Sequence, residues 1–210
     1  MCGIFGCVLK DSEVAPVIHV ALKRLEYRGY DSVGEATVNE GRVHVKKDAG
    51  KIDQVHAMLN LDDLPGRIGV GHTRWATHGA PYRVNAHPHV DCNEEVAVVH
   101  NGIIENFAEL RIELENRGHV FRSKTDTEVI PHLIEEKMRE GLSLVDAVRE
   151  AANRLDGSYA IAVIFAKEPD KLDCARRESP LVLGVSETGV YCASDIPAFL
   201  PLTNKAVIIE

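Results

Sequence analysis

Apolar side chains change their spacing along the chain, and each spacing predicts a different element. Residues 1–9 are β-branched and apolar, which predicts a strand. A helix is predicted next, because apolar side chains recur at the i, i+3, i+4 and i+7 positions, namely Val14, Val17, Ile18, Ala21, Leu22 and Leu25. Ser12 is placed to cap this helix, and Pro16 is tolerated in its first turn.

A β-hairpin follows the helix in the predicted order. Residues 33–38 and 42–47 have strand-like composition and flank Asn39, Glu40 and Gly41. Asparagine and glycine accept the positive φ that a tight hairpin loop demands. We therefore expect the two runs to pair as antiparallel strands.

The rest of the pattern gives strands, then helices, then strands again. Strands are predicted at residues 67–75 and 94–100, helices at 106–117, 127–140 and 143–155, and strands at 158–165, 171–176, 180–185, 189–192 and from 206 onward. Ser143 and Asp146 have the spacing of a capping box. The long loop at residues 76–93 is of a length that is usually functional. This order predicts layers, as in an α+β four-layer sandwich, rather than a doubly wound sheet.

Composition and charge narrow the class of protein. The chain has 210 residues, 45% hydrophobic and 27% charged, with no repeat or low-complexity segment, which predicts one folded domain over residues 1–210. Lys and Arg number 24 against 32 Asp and Glu, a formal net charge of -8. Because an acidic surface repels phosphate backbones and anionic lipids, we expect neither nucleic acid nor a membrane as partner.

The cysteines indicate a reducing compartment. They are five, an odd number without paired spacing, at Cys2, Cys7, Cys92, Cys174 and Cys192. This pattern fits neither a disulfide scaffold nor a zinc ribbon, and with no secretion signal or membrane-spanning run it predicts a cytoplasmic protein. Cys2 and Cys7 are five residues apart, so strand alternation sends their thiols to opposite faces, where they cannot readily share a metal or a disulfide. The chain stops inside the apolar run 206–209, which favours a longer parent protein.

Cys2 is the strongest candidate nucleophile. Removal of Met1 would leave a thiol and a free α-amino group on one residue. An α-amine has a pKa of about 7.7 to 8.0, so it can act as the general base for its own thiol. The alternative is an ordinary cysteine buried in a strand.

Such a nucleophile needs oxyanion donors and a substrate clamp. Asn101 and Gly102 follow an apolar strand and could present an amide and an open backbone N–H, although Asn-Gly also makes a plain turn. Arg74 can bind a carboxylate through two hydrogen bonds, and Asp126 can hold an ammonium group. The alternatives are a surface ion pair for Arg74 and a helix cap at Asp126 or Thr127.

Six motifs resemble those of the class II glutamine amidotransferases. They are CGIFG at residues 2–6, EYRGYDS at 26–32, HTRWATHG at 72–79, NAHPH at 85–89, VVHNGIIEN at 98–106 and TDTE at 125–128. The second and third motifs are similar, more narrowly, to the glutaminase domain of the isomerising glutamine:fructose-6-phosphate aminotransferases. The resemblance covers essentially the whole chain.

This resemblance implies a fold and a set of roles. The fold is that of the N-terminal nucleophile hydrolases, an αββα sandwich of two stacked antiparallel sheets. Cys2 would attack the side-chain amide of glutamine through a γ-glutamyl thioester, releasing glutamate and ammonia, with Asn101 and Gly102 as the oxyanion hole. Substrate-binding roles are implied for Arg74, Asp126, Trp75, Thr77, His78, His87, Arg28 and Gly29. Of these, Arg74 and Asp126 would hold the α-carboxylate and α-amine; no cofactor and no metal ligand is implied.

The chain departs from that family in three respects. Glu35 stands where an apolar residue is expected, and Pro131 stands where a helix former is usual. The sugar-isomerase half of the family is absent. The resemblance implies that this half uses the ammonia to make glucosamine 6-phosphate from fructose 6-phosphate, in a homo-oligomeric full-length enzyme.

Two other functions stay open at this point. A metal-binding protein could use His72, His78, His87, His89 and Cys92. A catalytically silent glutamine-sensing or assembly module could keep the fold and the pocket, and would do so if Met1 were retained, because the nitrogen of Cys2 would then be an amide and no base.

Overall fold

The computed structural model describes residues 2–75 and 80–209. The first part of the chain contains β1 (Gly3–Leu9), α1 (Ala15–Leu25), β2 (Ser32–Asn39), β3 (Arg42–Ala49), α2 (Ile52–Leu59) and β4 (Ile68–Arg74). The middle contains β5 (His89–Val90), β6 (Val96–Ile104), α3 (Phe107–Asn116), α4 (Val129–Arg139) and α5 (Leu144–Asn153). The last part contains β7 (Gly157–Phe165), β8 (Asp173–Arg177), β9 (Val182–Val185), β10 (Gly189–Ala193) and β11 (Ala206–Ile208).

The strands form two sheets. One sheet has the order β11-β9-β10-β1-β4-β2-β3 and the other has the order β5-β6-β7-β8. Each described pairing is antiparallel, including the central pairs β1 with β4 and β6 with β7. β1 and β4 therefore lie at the middle of the larger sheet, and β6 lies inside the smaller one.

Alternation along β1 shows how the layers are stacked. Ile4 packs in the apolar cluster that lies between the two sheets, whereas Phe5 and Cys7 pack on the other face, against α1. The inter-sheet cluster is built from facing residues of both sheets, such as Val70 of β4 and Val99 of β6. Because successive side chains of a strand point to opposite faces, one face of the larger sheet packs against the other sheet and the opposite face packs against helix α1.

Helices cover the outer face of each sheet. Residues of α1 and α2 share one apolar cluster with the larger sheet, and residues of α3, α4 and α5 share another with the smaller sheet. The expected αββα sandwich of two antiparallel sheets is therefore confirmed. In residues 2–75 and 80–209, every helix is too short or too polar to traverse a lipid bilayer.

The hairpin is confirmed, but its loop is shorter than predicted. Asn39 is the last residue of β2 and pairs with Arg42 of β3, which leaves a two-residue loop. Glu40 and Gly41 have φ of 50° and 73°, the left-handed values of a tight hairpin turn. The positive φ therefore falls on Glu40 and not on Asn39.

Two local interpretations of the sequence are wrong. The first helix begins at Ala15 with Val14 at its N-cap and no side-chain cap, so Ser12 does not cap it, although Pro16 does lie in the first turn. The strand predicted at residues 94–100 continues to Ile104, because β7 pairs with it over its full length. Ser143 does cap α5, accepting a hydrogen bond from the Asp146 N–H at 3.3 Å.

The two unusual residues in the apolar pattern are explained differently. Pro131 is the third residue of α4, in the first turn, where the missing N–H leaves no helical hydrogen bond broken.

Glu35 is fully buried on β2, and neither of its carboxylate oxygens has a hydrogen-bond partner among the described residues. Its Cγ lies 3.4 Å from the position that a Cβ on Gly71 would take, beside Ile18 and Leu22 of α1. Burial raises the pKa of Glu35 well above its usual value.

We expect Glu35→Met to stabilise the fold. A buried carboxyl without a partner costs about 1–3 kcal/mol, and methionine fills a similar volume without a polar group. Because the folded pKa of Glu35 is raised, the wild-type chain loses stability as the pH rises above the reference value of 4.5 towards the folded pKa. The free energy of unfolding, measured by urea denaturation at pH 4 and pH 8, should therefore favour the variant more at the higher pH. A variant that is less stable than the wild type at pH 8 would contradict this assignment.

Candidate active site

Polar side chains replace apolar ones at one end of the layer between the sheets. On β4, Ile68 and Val70 belong to the inter-sheet cluster, and the next residues of the same alternation are His72 and Arg74. Both polar residues are buried. The face of β4 that points towards the other sheet is therefore apolar along most of the strand and polar at its end.

The neighbouring strands make the same change at the same end. On β6, Ala97 and Val99 pack between the sheets, and Asn101 is the next residue on that face. On β1, Ile4 is the inter-sheet residue nearest the start of the strand, and Cys2 precedes it by two. Strand alternation thus brings Cys2 and Asn101 to the polar end of the layer.

These side chains line one cavity of about 330 Å³. Its wall is formed by Cys2, Arg28, Arg74, Trp75, His87, His100, Asn101, Gly102, Ile103, Asp126, Thr127, Ser158, Ser179 and Pro180. A second cavity of about 330 Å³ lies beside β3, and its lining contains no cysteine, serine or threonine. The first cavity therefore combines a candidate nucleophile, Cys2, with charged side chains and the amide of Asn101.

The Cys2 thiol is half-buried and contacts the backbone of Trp75. The Trp75 N–H donates to Sγ at 3.1 Å, and Sγ lies 3.5 Å from the Trp75 carbonyl oxygen. Burial raises the pKa of the Cys2 thiol, and the Trp75 N–H opposes that shift. The sulfur is therefore a thiol at neutral pH and needs a base before it can attack.

Two side chains fix the backbone of Cys2. Its carbonyl oxygen accepts a hydrogen bond from Arg28 Nε at 3.0 Å and another from Asn101 Nδ2 at 2.9 Å. Arg28 is itself oriented by Asp195, whose Oδ2 lies 3.1 Å from Nη1. The start of the chain is thereby held by the turn that follows α1 and by β6 of the smaller sheet.

His72 sets the orientation of Asn101. Its Nε2 lies 3.0 Å from Asn101 Oδ1 and 3.0 Å from the His100 carbonyl oxygen. Both partners are acceptors, so Nε2 carries the proton. Burial lowers the pKa of His72 to about 3, which keeps the ring neutral. The Asn101 amide is thus turned with its NH2 group towards Cys2.

Further histidines pack behind this contact. His87 stacks on His72 with ring centroids 4.1 Å apart, and its Nδ1 accepts the His100 N–H at 3.3 Å. His100 Nδ1 lies 2.8 Å from Thr127 Oγ1. Burial lowers the pKa of His87 and of His100, so these two rings are neutral at pH 7, as that of His72 is.

Arg74 and Asp126 bring opposite charges to the cavity. Asp126 Oδ2 accepts the Ile104 N–H at 2.9 Å, which anchors the loop before α4 to the end of β6. Neither Asp126 nor Thr127 caps α4, whose N-cap is Glu128. Burial lowers the pKa of Arg74, while Cys2 and Asp126 oppose that shift. A cation and an anion lining the same cavity suit a zwitterionic ligand.

Two glycines allow the backbone to approach closely. Gly102 has a φ of 129°, and a Cβ there would lie 2.0 Å from the Ser158 carbonyl oxygen. Gly29 has an extended backbone, but a Cβ would lie 2.6 Å from the Arg74 carbonyl carbon and 2.8 Å from the Trp75 nitrogen. Gly29 therefore supports the segment that holds Arg74 and the Trp75 N–H.

Most of the predicted site residues thus meet at one place. Cys2, Arg28, Arg74, Trp75, His87, Asn101, Gly102 and Asp126 line the cavity, and Gly29 lies behind it. Trp75 is 47% exposed, and its ring packs edge-to-face with that of Tyr30, with the ring centroids 5.3 Å apart. Thr77 and His78, predicted to lie in a closing loop, fall outside the described residues.

Sequence reasoning gave no role in a glutamine site to His72, His100, Thr127 or Ser158, and considered His72 only as a possible metal ligand. His72 could have been found, because it lies two residues before Arg74 and so shares its strand face. Of the metal cluster considered from the sequence, His78 lies outside the described residues, and among the described members Cys92 lies apart from the histidines. His72 stacks on His87 of the cavity wall, whereas Cys92 Sγ lies 3.7 Å from His119 Nδ1 and 3.6 Å from His132 Nδ1.

Comparison with known proteins gives consistent results. Residues 72–201 match the family described as glutamine amidotransferase domain. The chain is 55% identical over 210 residues to the glutamine–fructose-6-phosphate aminotransferase (isomerizing) of Methanothermobacter thermautotrophicus, and 56% identical over 210 residues to that of Pyrococcus horikoshii. In both cases 100% of this chain aligns with 35% of the relative, so the chain spans about a third of the length of these proteins.

Solved structures agree on the fold. Glutamine phosphoribosylpyrophosphate amidotransferase from B. subtilis superposes with a TM-score of 0.81 at 28% identity, covering 94% of this chain and 43% of that one. A structure of the allosteric regulatory enzyme of purine biosynthesis superposes with a TM-score of 0.80 at 29% identity, over the same shares of the two chains.

Proposed function

Because the chain belongs to the glutamine amidotransferase domain family, we propose that it hydrolyses the side-chain amide of glutamine to glutamate and ammonia, with Cys2 as nucleophile. The observation that carries the proposal is the environment of the thiol. Cys2 Sγ lies in the cavity beside the backbone of Trp75, and burial raises its pKa. It therefore needs a base close by.

The α-amine of Cys2 is the base that fits this geometry. Among the described residues, the hydrogen-bond partners of Sγ are the N–H and carbonyl of Trp75, neither of which can accept and release a proton at neutral pH. The cavity histidines His87 and His100 have lowered pKa values. Removal of Met1 would expose an amine with a pKa of about 7.7 to 8.0, attached to the same residue as the thiol.

The reaction then proceeds in two balanced halves. The thiol proton moves to the α-amine as Sγ bonds to the amide carbon of glutamine. The resulting tetrahedral intermediate collapses, the C–N bond breaks, and the protonated amine gives its proton to the departing ammonia. A water molecule next attacks the thioester carbon and loses its proton to the amine. The C–S bond breaks, the thiol regains its proton, and glutamate leaves.

Asn101 and Gly102 are suited to stabilise the negative oxygen in both halves. Asn101 Nδ2 has two hydrogens, one of which is donated to the Cys2 carbonyl at 2.9 Å. The other hydrogen, with the backbone N–H of Gly102, would be donated to the oxyanion. Because His72 fixes the amide, the Asn101 donor is oriented before the reaction begins, which is the condition for strong transition-state stabilisation.

Arg74 and Asp126 support glutamine as the substrate. A free amino acid presents an α-carboxylate and an α-ammonium, and these two side chains offer the complementary charges in one cavity. Trp75, Thr77, His78, His87, Arg28 and Gly29 complete the proposed pocket or its support. Arg74 and Asp126 would make no ion pair with a glutamine inside a peptide, because its α-amino and α-carboxyl groups are uncharged amides.

The wider activity is proposed from the relatives. They are named glutamine–fructose-6-phosphate aminotransferases, and the aligned part is about a third of their length. The ammonia would then be used by a sugar-isomerase half to convert fructose 6-phosphate to glucosamine 6-phosphate, in a homo-oligomer. The five free cysteines support a cytoplasmic location.

Glutamate release by the purified chain tests this proposal. We expect L-glutamine to yield glutamate and ammonia in equal amounts. Glutamine analogues that lack the α-amine or the α-carboxylate should react at least about 100-fold more slowly in kcat/KM, because each loses a charge-assisted contact. Equal rates for glutamine and both analogues would contradict the proposed zwitterion clamp.

Intact mass spectrometry separates an enzyme from a silent glutamine-binding module. An active chain should lack Met1, so that its first residue is Cys2. A chain that keeps Met1 should bind glutamine without turnover, because the Cys2 nitrogen would be an amide. Turnover by a preparation that uniformly retains Met1 would show that the α-amine is not the base.

A further inference from the structure

Four potential metal ligands converge at the outer side of the smaller sheet, apart from the glutamine cavity. Cys92 lies in the turn between β5 and β6, and His119 lies in the loop after α3. His132 and Glu135 lie three residues apart on α4 and so share one helix face. Their ligand atoms all lie within 4.8 Å of one another. Three separate segments of the chain meet at this cluster.

The spacing of these atoms is that of a tetrahedral zinc site. Ligands at the usual zinc distances lie about 3.6 Å apart for a sulfur–nitrogen pair and about 3.3 Å apart for nitrogen or oxygen pairs. Cys92 Sγ lies 3.7 Å from His119 Nδ1 and 3.6 Å from His132 Nδ1. The two Nδ1 atoms are 3.3 Å apart, and Glu135 Oε2 lies 3.1 Å from the first and 3.5 Å from the second.

An outer contact orients His119 towards the centre of the cluster. His119 Nε2 lies 3.0 Å from Glu136 Oε2, and His132 Nε2 lies 3.8 Å from Glu128 Oε1. The carboxylate hydrogen-bonded to His119 favours the tautomer with the proton on Nε2 and leaves the Nδ1 lone pair of that ring directed at the cluster. Carboxylate–histidine pairs of this kind are typical of zinc ligands. The Nε2 of His132 lies beyond hydrogen-bond distance of Glu128 and has no hydrogen-bond partner among the described residues.

The other two ligands are supported in the same way. Cys92 Sγ accepts the Val120 N–H at 3.4 Å, a contact that stabilises a thiolate. Glu135 Oε1 is held by Asn93 Nδ2 at 3.0 Å and by Arg139, while Oε2 accepts the Cys92 N–H at 3.1 Å and keeps a second lone pair for the cluster. The side chains of His119, His132 and Glu135 are almost completely buried. Four acceptor atoms facing one another in a buried position repel unless a cation or protons lie between them.

We propose that Cys92, His119, His132 and Glu135 bind one structural Zn²⁺ ion. Binding releases the Cys92 thiol proton to solvent, and one thiolate with one carboxylate then balances the ion's charge. The mixed sulfur, nitrogen and oxygen set favours zinc over calcium or magnesium, and four protein ligands leave no open position for catalysis. The ion joins the β5–β6 turn and the loop after α3 to α4, so its role is to stabilise this part of the fold.

Cobalt substitution tests the site directly and needs no glutamine. The full chain is stripped of metal with a chelator and titrated with Co²⁺ while its absorption spectrum is recorded. We expect one Co²⁺ per chain, with the visible bands of tetrahedral cobalt and a near-ultraviolet thiolate-to-cobalt band, and displacement by one equivalent of Zn²⁺. Zn²⁺ should raise the melting temperature of the stripped protein by about 5 °C or more. A folded wild-type chain that takes up no Co²⁺ would overturn the proposal.

Matched variants identify the ligands. Cys92→Ser should remove the thiolate band, whereas Cys174→Ser, which alters another half-buried cysteine, should keep it. His132→Gln should weaken zinc binding at least about 100-fold. His56→Gln should leave it unchanged; His56 belongs to a second group of possible ligands with His19 and Asp62. Binding that depends on His56 or Cys174 instead of His132 and Cys92 would place the metal elsewhere and overturn the assignment.

Discussion

Cys2→Ala is expected to lower the rate of glutamine hydrolysis at least ~10⁴-fold, the loss seen when a covalent nucleophile is removed. The variant keeps Arg74, Asp126 and the rest of the cavity wall, so glutamine should still bind, which calorimetry can measure. Cys2→Ser keeps an α-amine and a hydroxyl but has a poorer nucleophile, and its rate should fall between those of the alanine variant and the wild type.

Cys174→Ala serves as the control for this substitution. Cys174 lies on β8, outside the cavity lining, and its replacement should leave the rate within about twofold of the wild type. If Cys2→Ala retained the wild-type rate while Cys174→Ala lost it, the nucleophile would have been assigned to the wrong cysteine.

Asn101→Ala is expected to lower kcat by about 10²–10³-fold, the usual cost of losing one oxyanion donor. The dissociation constant for glutamine should change little, because Asn101 donates to the Cys2 carbonyl and, in the proposed mechanism, to the reacting oxygen rather than to the charged ends of the substrate. Stopped-flow measurement of ammonia release gives kcat, and calorimetry in a Cys2→Ala background gives the dissociation constant.

The control is Asn153→Ala, at an exposed position at the end of α5, which should change neither quantity. Loss of glutamine affinity with an unchanged kcat in Asn101→Ala would show that Asn101 binds the substrate and does not stabilise the transition state.

The sandwich was predictable because its signals are periodic. Apolar residues that recur every two positions indicate a strand, and those that recur every three or four indicate a helix with one buried face. These patterns predicted the helix with apolar residues from Val14 to Leu25 and the hairpin around Gly41. The same rule places His72 beside Arg74 and Cys2 beside Ile4. A strand face that changes from apolar to polar at one end is therefore a usable signal for a site.

Features that depend on a strand remote in the sequence could not be predicted from local sequence. Asn101-Gly102 has the composition of a turn, yet β7 pairs with β6 through Ile104 and keeps both residues in a strand. Gly102 is needed there because its φ of 129° and the nearby Ser158 carbonyl exclude a side chain. Local propensity cannot show that an adjacent strand continues the pairing.

The proposed zinc ligands show the same limit more strongly. His132 and Glu135 share a helix face and could be paired from the sequence, but Cys92 and His119 reach them only because β6 and α3 bring the chain back to α4. Their separations match no zinc template. The histidines that are close in sequence, His87 and His89, instead take part in the cavity wall and its packing.

Peptide mass spectrometry of protein quenched in acid during turnover tests the central assignment most directly. We expect a γ-glutamyl group on the N-terminal peptide, attached to Cys2 Sγ and removed by hydroxylamine as a thioester. The same group on Cys7, Cys92, Cys174 or Cys192, or turnover under conditions that trap no glutamyl group on Cys2, would contradict it.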